Sequence, residues 1–416
     1  MTEPRATLSP EEACERILAT VRVLEPERVP ILDGLGRVLA EPVYAPRDVP
    51  PLPNSAMDGY AVCGEDAARA PVRLRLIGEV AAGSVSRVRV EPGTALRIMT
   101  GAPIPDGADT VVRFEDTQQK GEWVELLEAT PPGSNVRPAG EDVRAGQEVL
   151  SPGMVLRPQE IGMLATVGRT DVAVIRRPRV AVLATGDEVV PPGETPGPGQ
   201  IWDANSYTVA AQVCQYGGVP LLLGIARDRE ELIRQGIRAA LAQQADLIIT
   251  SGGVSVGDFD LVKQVMAVEG QMHFWSINMK PGRPLAFGVV GGVPLLGLPG
   301  NPVSAMVSTE LFARPALLKM QGFPDRPRPT VRARLRDPIP RKDRRRHYVR
   351  VRLHETAAGL EAALTGDQGS GILSSLVAAD GLAIIPEGVD HLDGGAEVEV
   401  LLLRNADGQW TMTNGQ

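Results

Sequence analysis

RVAVLATGDE, residues 179–188, decides the fold, because three other stretches repeat its form. They are VPLLLGIARD at 219–228, ADLIITSGG at 245–253 and VPLLGLPGNP at 293–302. Each is an apolar run that ends in glycine, hydroxyl or charged side chains. Strands buried on both faces read this way, whereas half-solvated strands alternate. Segments with helical apolar spacing lie near 206–216, 229–243, 260–268 and 303–320. Continuous strands alternating with amphipathic helices specify an open, mostly parallel, three-layer α/β domain. Asp228 and Glu231 have the spacing of a helix cap for the second segment.

Outward from this domain the pattern changes. Ser9-Pro10-Glu11-Glu12 has the order of a capped helix start, with Ile17, Leu18 and Val21 following at helical spacing. Residues 41–55, EPVYAPRDVPPLPNS, hold five prolines and read as a stiff linker. Short alternating strands follow in VRLRLIGEV, RVRVEPGTALRIM and DTVVRFED, so a small antiparallel β domain is expected. A Pro/Gly-rich crossing at 131–153 leads to a helix near 158–166, which is expected to pack on the first helix. After Pro324, VRARLRD, HYVRVRLH, LEAAL, LAIIPEG and AEVEVLLLR predict a C-terminal β-barrel-like domain. The expected division is a connecting domain from 1–45 and 141–178, a small β domain at 46–140, an α/β domain at 179–326 and a β domain at 327–416.

Composition narrows the function. The chain has 416 residues, 43% hydrophobic and 23% charged, which suits several folded domains. A formal net charge of -8 argues against a general nucleic-acid or anionic-membrane binder. No apolar run reaches the ~18 residues of a membrane span, and no signal peptide is expected. Three scattered cysteines, Cys14, Cys63 and Cys214, fit a reducing cytoplasm and exclude a disulfide framework. The four histidines have no metal-ligand spacing, so zinc is not expected.

Open α/β sheets bind ligands beyond the carboxyl ends of their strands. Those ends carry Thr185-Gly186-Asp187-Glu188, Arg227-Asp228, Ser251-Gly252-Gly253 through Ser255, Gly257 and Asp258, and Pro299-Gly300-Asn301-Pro302. Gly252, Gly253 and Gly257 can turn backbone N–H groups toward a phosphate, although neither a Walker loop nor a G-x-G-x-x-G fingerprint is present. Glu188, Asp228, Asp258 and Asp260 gather at the same edge and suit Mg²⁺, which takes oxygen ligands and bridges to phosphate. Lys280-Pro281-Gly282-Arg283 is a cationic turn in a chain with only five lysines, and it suits an oxyanion. The basic run at 341–346 is read as a solvated strand end, because no aromatic residues interleave it.

In this order, the loops resemble the MoeA/gephyrin family of molybdopterin molybdenumtransferases. The resemblance is carried by SAMDGYA at 55–61, TGAP at 100–103, PAGED at 138–142, TGDE at 185–188 and SGGVSVGD at 251–258. MKPGRP at 279–284, LPGNPVS at 298–304 and DQGS at 367–370 complete it. The resemblance implies Mg²⁺-dependent insertion of molybdate into adenylylated molybdopterin, with AMP released. It assigns function to Asp58, Thr100, Asp142, Glu188, Asp228, Asp258, Lys280, Arg350 and Ser370. It also implies a cytoplasmic homodimer whose site is shared between chains, and transient contact with a molybdopterin adenylyltransferase and with molybdoenzymes. Two positions depart from the family pattern: Ser276 stands where a lysine is frequent, and Arg283 replaces a second lysine. The competing readings are a molybdopterin adenylyltransferase and a non-catalytic scaffold. The first is typically an α/β domain alone, and the second does not need the carboxylates and Lys280 together.

Overall fold

A computed structural model describes residues 7–253, 265, 270–325, 327–340 and 343–403. The chain forms two compact units, 1–27 with 36–38 and 173–416, and 28–35 with 39–172.

In the first unit, six strands form one sheet in the order Val219–Ala226, Arg179–Thr185, Leu247–Ser251, Val293–Leu298, Pro284–Val290, Gly270–Ser276. The first four run parallel, and 284–290 runs against them, pairing antiparallel with 293–298 on one side and 270–276 on the other. Side chains alternate across the strands, so the inner apolar runs feed two cores, while the edge run 219–226 feeds one and leaves Leu222 51% exposed. Val180, Val182 and Ile249 pack with Val209 and Val213 of helix Asn205–Gln215. Ala181, Leu183 and Ile248 pack on the opposite face with Ile233 and Ile237 of helix Glu230–Ala242. Three layers result. The antiparallel pair 284–290 and 293–298 turns on Gly291 and Gly292, both at positive φ, the conformation a tight hairpin needs.

The helical run at 302–320 is interrupted. Pro302–Ser308 and Arg314–Met320 are α-helical, and Thr309–Ala313 between them is a π turn. Pro315 lacks an N–H and crowds the preceding turn, which the wider π turn accommodates. The first helix, Pro10–Thr20, has the expected capping box. The Glu12 N–H donates to Ser9 Oγ (3.1 Å), and the Ser9 N–H donates to Glu12 Oε2 (2.8 Å). Its buried Ala13 and Ile17 join Phe312, Ala316 and Met320 in the sheet-facing core. Helix Pro158–Thr166 belongs to the second unit and helix Pro10–Thr20 to the first.

The five strands Thr330–Leu335, Glu397–Leu402, Gly381–Ile385, Arg346–Thr356 and Gly359–Leu364 close on themselves as a barrel around Val349, Val351, Ala362, Ala383 and Val400. Closure leaves no exposed edge. A short segment, Met279–Lys280, lies parallel to Arg346–His347 and brings the cationic turn to the barrel.

The second unit is built on a six-stranded sheet in the order Thr110–Arg113, Gly59–Val62, Thr94–Ile98, Val72–Val80, Trp123–Leu126, Thr117–Lys120. Its ladders are antiparallel except the 72–80 and 94–98 pair. Residues 87–90, expected to open a strand, lie outside it. A turn closed by the Thr94 N–H to the Glu91 carbonyl (2.9 Å) sets the strand's start.

Candidate active site

The sheet's chain order places its crevice. From 179–185 the chain moves to 219–226 on one side and then to 247–251 on the other, so the ends of 179–185 and 247–251 flank the switch point. Buried Thr185 donates its hydroxyl to the Ser251 carbonyl (3.3 Å). Gly252 has φ +91, and a Cβ there would stand 2.5 Å from the Thr185 carbonyl oxygen. Only glycine lets these two ends close up. The Gly252 N–H donates to the Leu298 carbonyl (3.1 Å) and the Gly186 N–H to that of Ala226 (3.2 Å). This corrects one expectation: Gly252 turns its N–H into the loop packing rather than outward to an anion. Gly253, also at positive φ, and the Ser251 side chain remain at the crevice.

Glu188 and Asp228 are exposed at this edge. Arg227 joins their loops by donating to the carbonyls of Asp187 (2.7 Å) and Val189 (3.3 Å), and the Asp228 N–H donates to Asp187 Oδ1 (3.3 Å). Asp228 does not cap the next helix. The cap position is Arg229, with no side-chain bond, because the Asp228 backbone turns toward Asp187. Ser255, Gly257, Asp258, Asp260 and the helix expected at 260–268 lie outside the described residues, apart from helical Val265. Among the described residues, no three His, Cys, Asp or Glu side chains are grouped to hold a metal. Two exposed carboxylates beside a phosphate-type loop do fit Mg²⁺, which typically takes one or two carboxylates and completes its shell from phosphate and water.

An open pocket of about 620 Å³ lies beside the crevice. Lys280, Arg283, Pro299, Asn301, Ser304, Arg345 and Ser370 line it. Pro302 follows as the first residue of helix Pro302–Ser308, and the Val303 N–H donates to the Ser370 carbonyl (3.1 Å). The half-exposed Lys280 ammonium stands 3.8 Å from Asp343. Asp343 also accepts from Arg345 (3.0 Å) and contacts His347 Nε2 (3.0 Å). These contacts, the Arg345 hydrogen bond foremost, hold its carboxyl far below the usual range. Arg350 lies beneath the 367–370 loop, 1% exposed. It donates to the carbonyls of Asp367 (3.2 Å) and Gly369 (2.9 Å) and to Ser375 Oγ (2.9 Å). Burial pulls its pKa down to about 10. Of the basic run at 341–346, Arg341 and Lys342 lie outside the described residues. Arg344 pairs with Asp390, and Arg346 with Glu11 and Glu387.

The second unit carries the other expected residues. Ser55 exchanges backbone hydrogen bonds with Gly101 (2.8 Å) and Ala102 (3.0 Å) and pairs with Val136. SAMDGYA and TGAP therefore meet, and PAGED follows the paired strand. Exposed Asp58 accepts from the Thr100 N–H (2.6 Å) and hydroxyl (2.8 Å). Those bonds, with Arg97 a smaller contributor, hold its carboxyl below the usual range. Asp142 lines a separate shallow pocket of about 340 Å³ with Asn54 and Arg137.

Sequence reasoning missed Asn205 and Asp343, and placed Arg227 at a strand end without its role in joining the two loops. Asn205 opens the helix that follows the first strand, and a polar residue there shares the ligand-binding edge. That topological signal could have found it.

Three family models match the chain in order. They are the MoeA N-terminal region (domain I and II) at residues 8–168, a probable molybdopterin binding domain at 181–319 and the MoeA C-terminal region (domain IV) at 332–403. A molybdopterin molybdenumtransferase of a Nostoc species is 39% identical over 378 residues, 88% of this chain and 86% of that protein. Molybdopterin molybdenumtransferase 2 of Mycobacterium tuberculosis is 38% identical over 93% of this chain and 97% of its own length. The crystal structure of the molybdopterin biosynthesis MoeA protein of a Pyrococcus species superposes with a TM-score of 0.84 at 35% identity. That match covers 96% of this chain and all of that one. With both sequence and fold shared along nearly its whole length, the chain belongs to the MoeA family of molybdopterin molybdenumtransferases.

Proposed function

We infer that this chain is a molybdopterin molybdenumtransferase of molybdenum cofactor biosynthesis, which inserts molybdate into adenylylated molybdopterin and releases AMP. One observation carries the reading: the α/β crevice at Thr185 and Ser251–Gly253 belongs to the same compact unit as the cationic pocket of Lys280 and Arg283. The crevice suits the pterin and nucleotide phosphates, and the pocket suits a tetrahedral dianion. Pro299 and Pro302 bracket the Gly300–Asn301 turn that both share.

Within this reading Lys280, Arg283 and Ser370 bind molybdate, and Arg350 shapes the loop that carries Ser370. Glu188 and Asp228, with Asp258 from the sequence motif, hold Mg²⁺. When bound, the metal neutralises charge on the phosphoanhydride oxygens. The Ser251 hydroxyl and the Gly253 backbone orient the phosphate, and the pocket cations stabilise charge as AMP leaves. Asp58, Thr100 and Asp142 complete the site from the second unit of a partner chain, in a cytoplasmic homodimer. The same reading keeps the four-domain division and transient contact with the adenylyltransferase and recipient molybdoenzymes.

The deciding experiment supplies purified protein with adenylylated molybdopterin and Mg²⁺, then molybdate, tungstate or no oxyanion, and follows AMP. Oxyanion-dependent AMP release is expected. Consumption of ATP with molybdopterin, and no AMP release on adding molybdate, would point to adenylylation instead.

A further inference from the structure

Asn205 ties together two loops of the crevice through one amide. Its Nδ2 donates to Ser251 Oγ (2.8 Å) and to the Gly300 carbonyl (2.7 Å). The carbonyl can only accept, which fixes the orientation of the amide. Two consequences follow. Ser251 Oγ is an acceptor in this bond, so its own hydrogen, bonded to no described residue, is left to donate. Asn205 Oδ1 is buried and has no hydrogen-bond partner among the described residues. A buried acceptor of that kind is rare unless a water or ligand completes it. Two main-chain donors of the crevice loops, on Gly186 and Gly252, are already committed to carbonyls. The Ser251 hydroxyl remains, beside the Gly253 backbone, as a side-chain donor at the switch point.

We propose that Asn205 is a positioning residue for the nucleotide-pterin substrate: it sets Ser251 as a donor toward the substrate's anionic oxygen and offers Oδ1 to a substrate N–H. The inference rests on the functional reading above. Molybdate binding, at the Lys280 pocket, does not involve this amide.

The test measures equilibrium binding of adenylylated molybdopterin separately from molybdate-dependent AMP release. It uses wild type, Asn205→Ala, isosteric Asn205→Asp, Ser251→Ala and the Asn205→Ala/Ser251→Ala double variant. Loss of a hydrogen bond to a charged group corresponds to roughly 10- to 100-fold in affinity. Asn205→Ala and Asn205→Asp are expected to lose about that factor, with the molybdate KM and melting temperature little changed. In the Ser251→Ala background, Asn205→Ala should cost clearly less than in wild type, because the contact shared through Ser251 is already gone and only the Oδ1 contact is left to lose. A full additional loss in the double variant, or wild-type affinity in both single Asn205 variants, overturns the proposal. Asn205→Asp keeps the side-chain volume and so gives an answer even if the alanine variant does not fold. A wild-type chain that neither binds the adenylylated pterin nor releases AMP overturns the functional reading itself.

Discussion

Thr100 directs two donors, its backbone N–H and its hydroxyl, at the same oxygen of Asp58, at 2.6 and 2.8 Å. Both bonds favour the charged carboxylate, so its pKa is lowered although the group is exposed. A depressed carboxylate pKa means that the charged form, and what it stabilises, is present above the unfolded value and lost only as pH falls through the folded one. Thr100→Val removes the hydroxyl and keeps the N–H, so the Asp58 pKa is expected to rise part of the way toward its ordinary value. A carbon-13 titration of the Asp58 carboxyl reads this directly. An unchanged midpoint would mean that the hydroxyl does not contribute.

Glu188→Gln is expected to abolish most Mg²⁺-dependent turnover and to shift stability by no more than about 0.5 kcal/mol, as exposed substitutions do. Gly186→Ala should also impair turnover, because its Cβ would stand 2.5 Å from Glu188 Oε2 and displace the carboxylate. The measurement is initial rate against Mg²⁺ concentration, beside thermal unfolding. Normal Mg²⁺-dependent rates for Glu188→Gln would remove this residue from the metal site.

The runs 179–185, 247–251 and 293–298 were legible because a doubly buried strand needs apolar side chains on both faces, whereas 219–226 is an apolar edge strand with Leu222 51% exposed. The antiparallel strands 270–276 and 284–290 were not assigned, although Gly291-Gly292 between two apolar runs is a hairpin signal. Asp228 had the spacing of a cap, but spacing does not reveal that its backbone turns toward Asp187. The glycine loop was legible as a binding element. That Gly252 would commit its N–H to Leu298 was not, because residues 252 and 298 meet only through sheet pairing. Arg350 and Asp343 illustrate the same limit. Barrel closure brings one under the 367–370 loop and the other beside Lys280, and neither placement has a local signature.

Arg350→Ala leaves two loop carbonyls and the Ser375 hydroxyl without their donor in a buried place. The expected cost is about 2–4 kcal/mol, with a raised molybdate KM because Ser370 loses its support. Arg350→Lys keeps the charge but not the planar fork, and should fall between alanine and wild type. Denaturant unfolding and molybdate saturation together check this. Unchanged stability in the alanine variant would show that the loop holds itself.

Lys280→Ala is expected to weaken molybdate use while sparing binding of adenylylated molybdopterin. Its side chain is 47% exposed and its ion pair to Asp343 is long, so the fold depends little on it. A change in stability within about 0.5 kcal/mol is expected. The two saturation curves must be measured separately. Equal loss in both would place Lys280 at the phosphates rather than at the oxyanion.

Asp58 and Glu188 belong to different compact units of the chain, and the segment at 41–55, which precedes Asp58 within its own unit, holds five prolines. In the proposed homodimer the second unit of one chain completes the crevice of the other. Asp58→Ala and Glu188→Ala should then each be inactive as pure dimers. A heterodimer of the two brings both defects together at one interface and both intact residues together at the other. A two-fold dimer has two equivalent sites, so one restored site predicts about half of wild-type turnover. The measurement uses doubly tagged heterodimers, purified through both tags, with sedimentation confirming the dimer. Each parent dimer is assayed beside them. Turnover no higher than that of the parents would mean that Asp58 and Glu188 act within one chain, because intrachain sites would leave every site in the heterodimer with one defect.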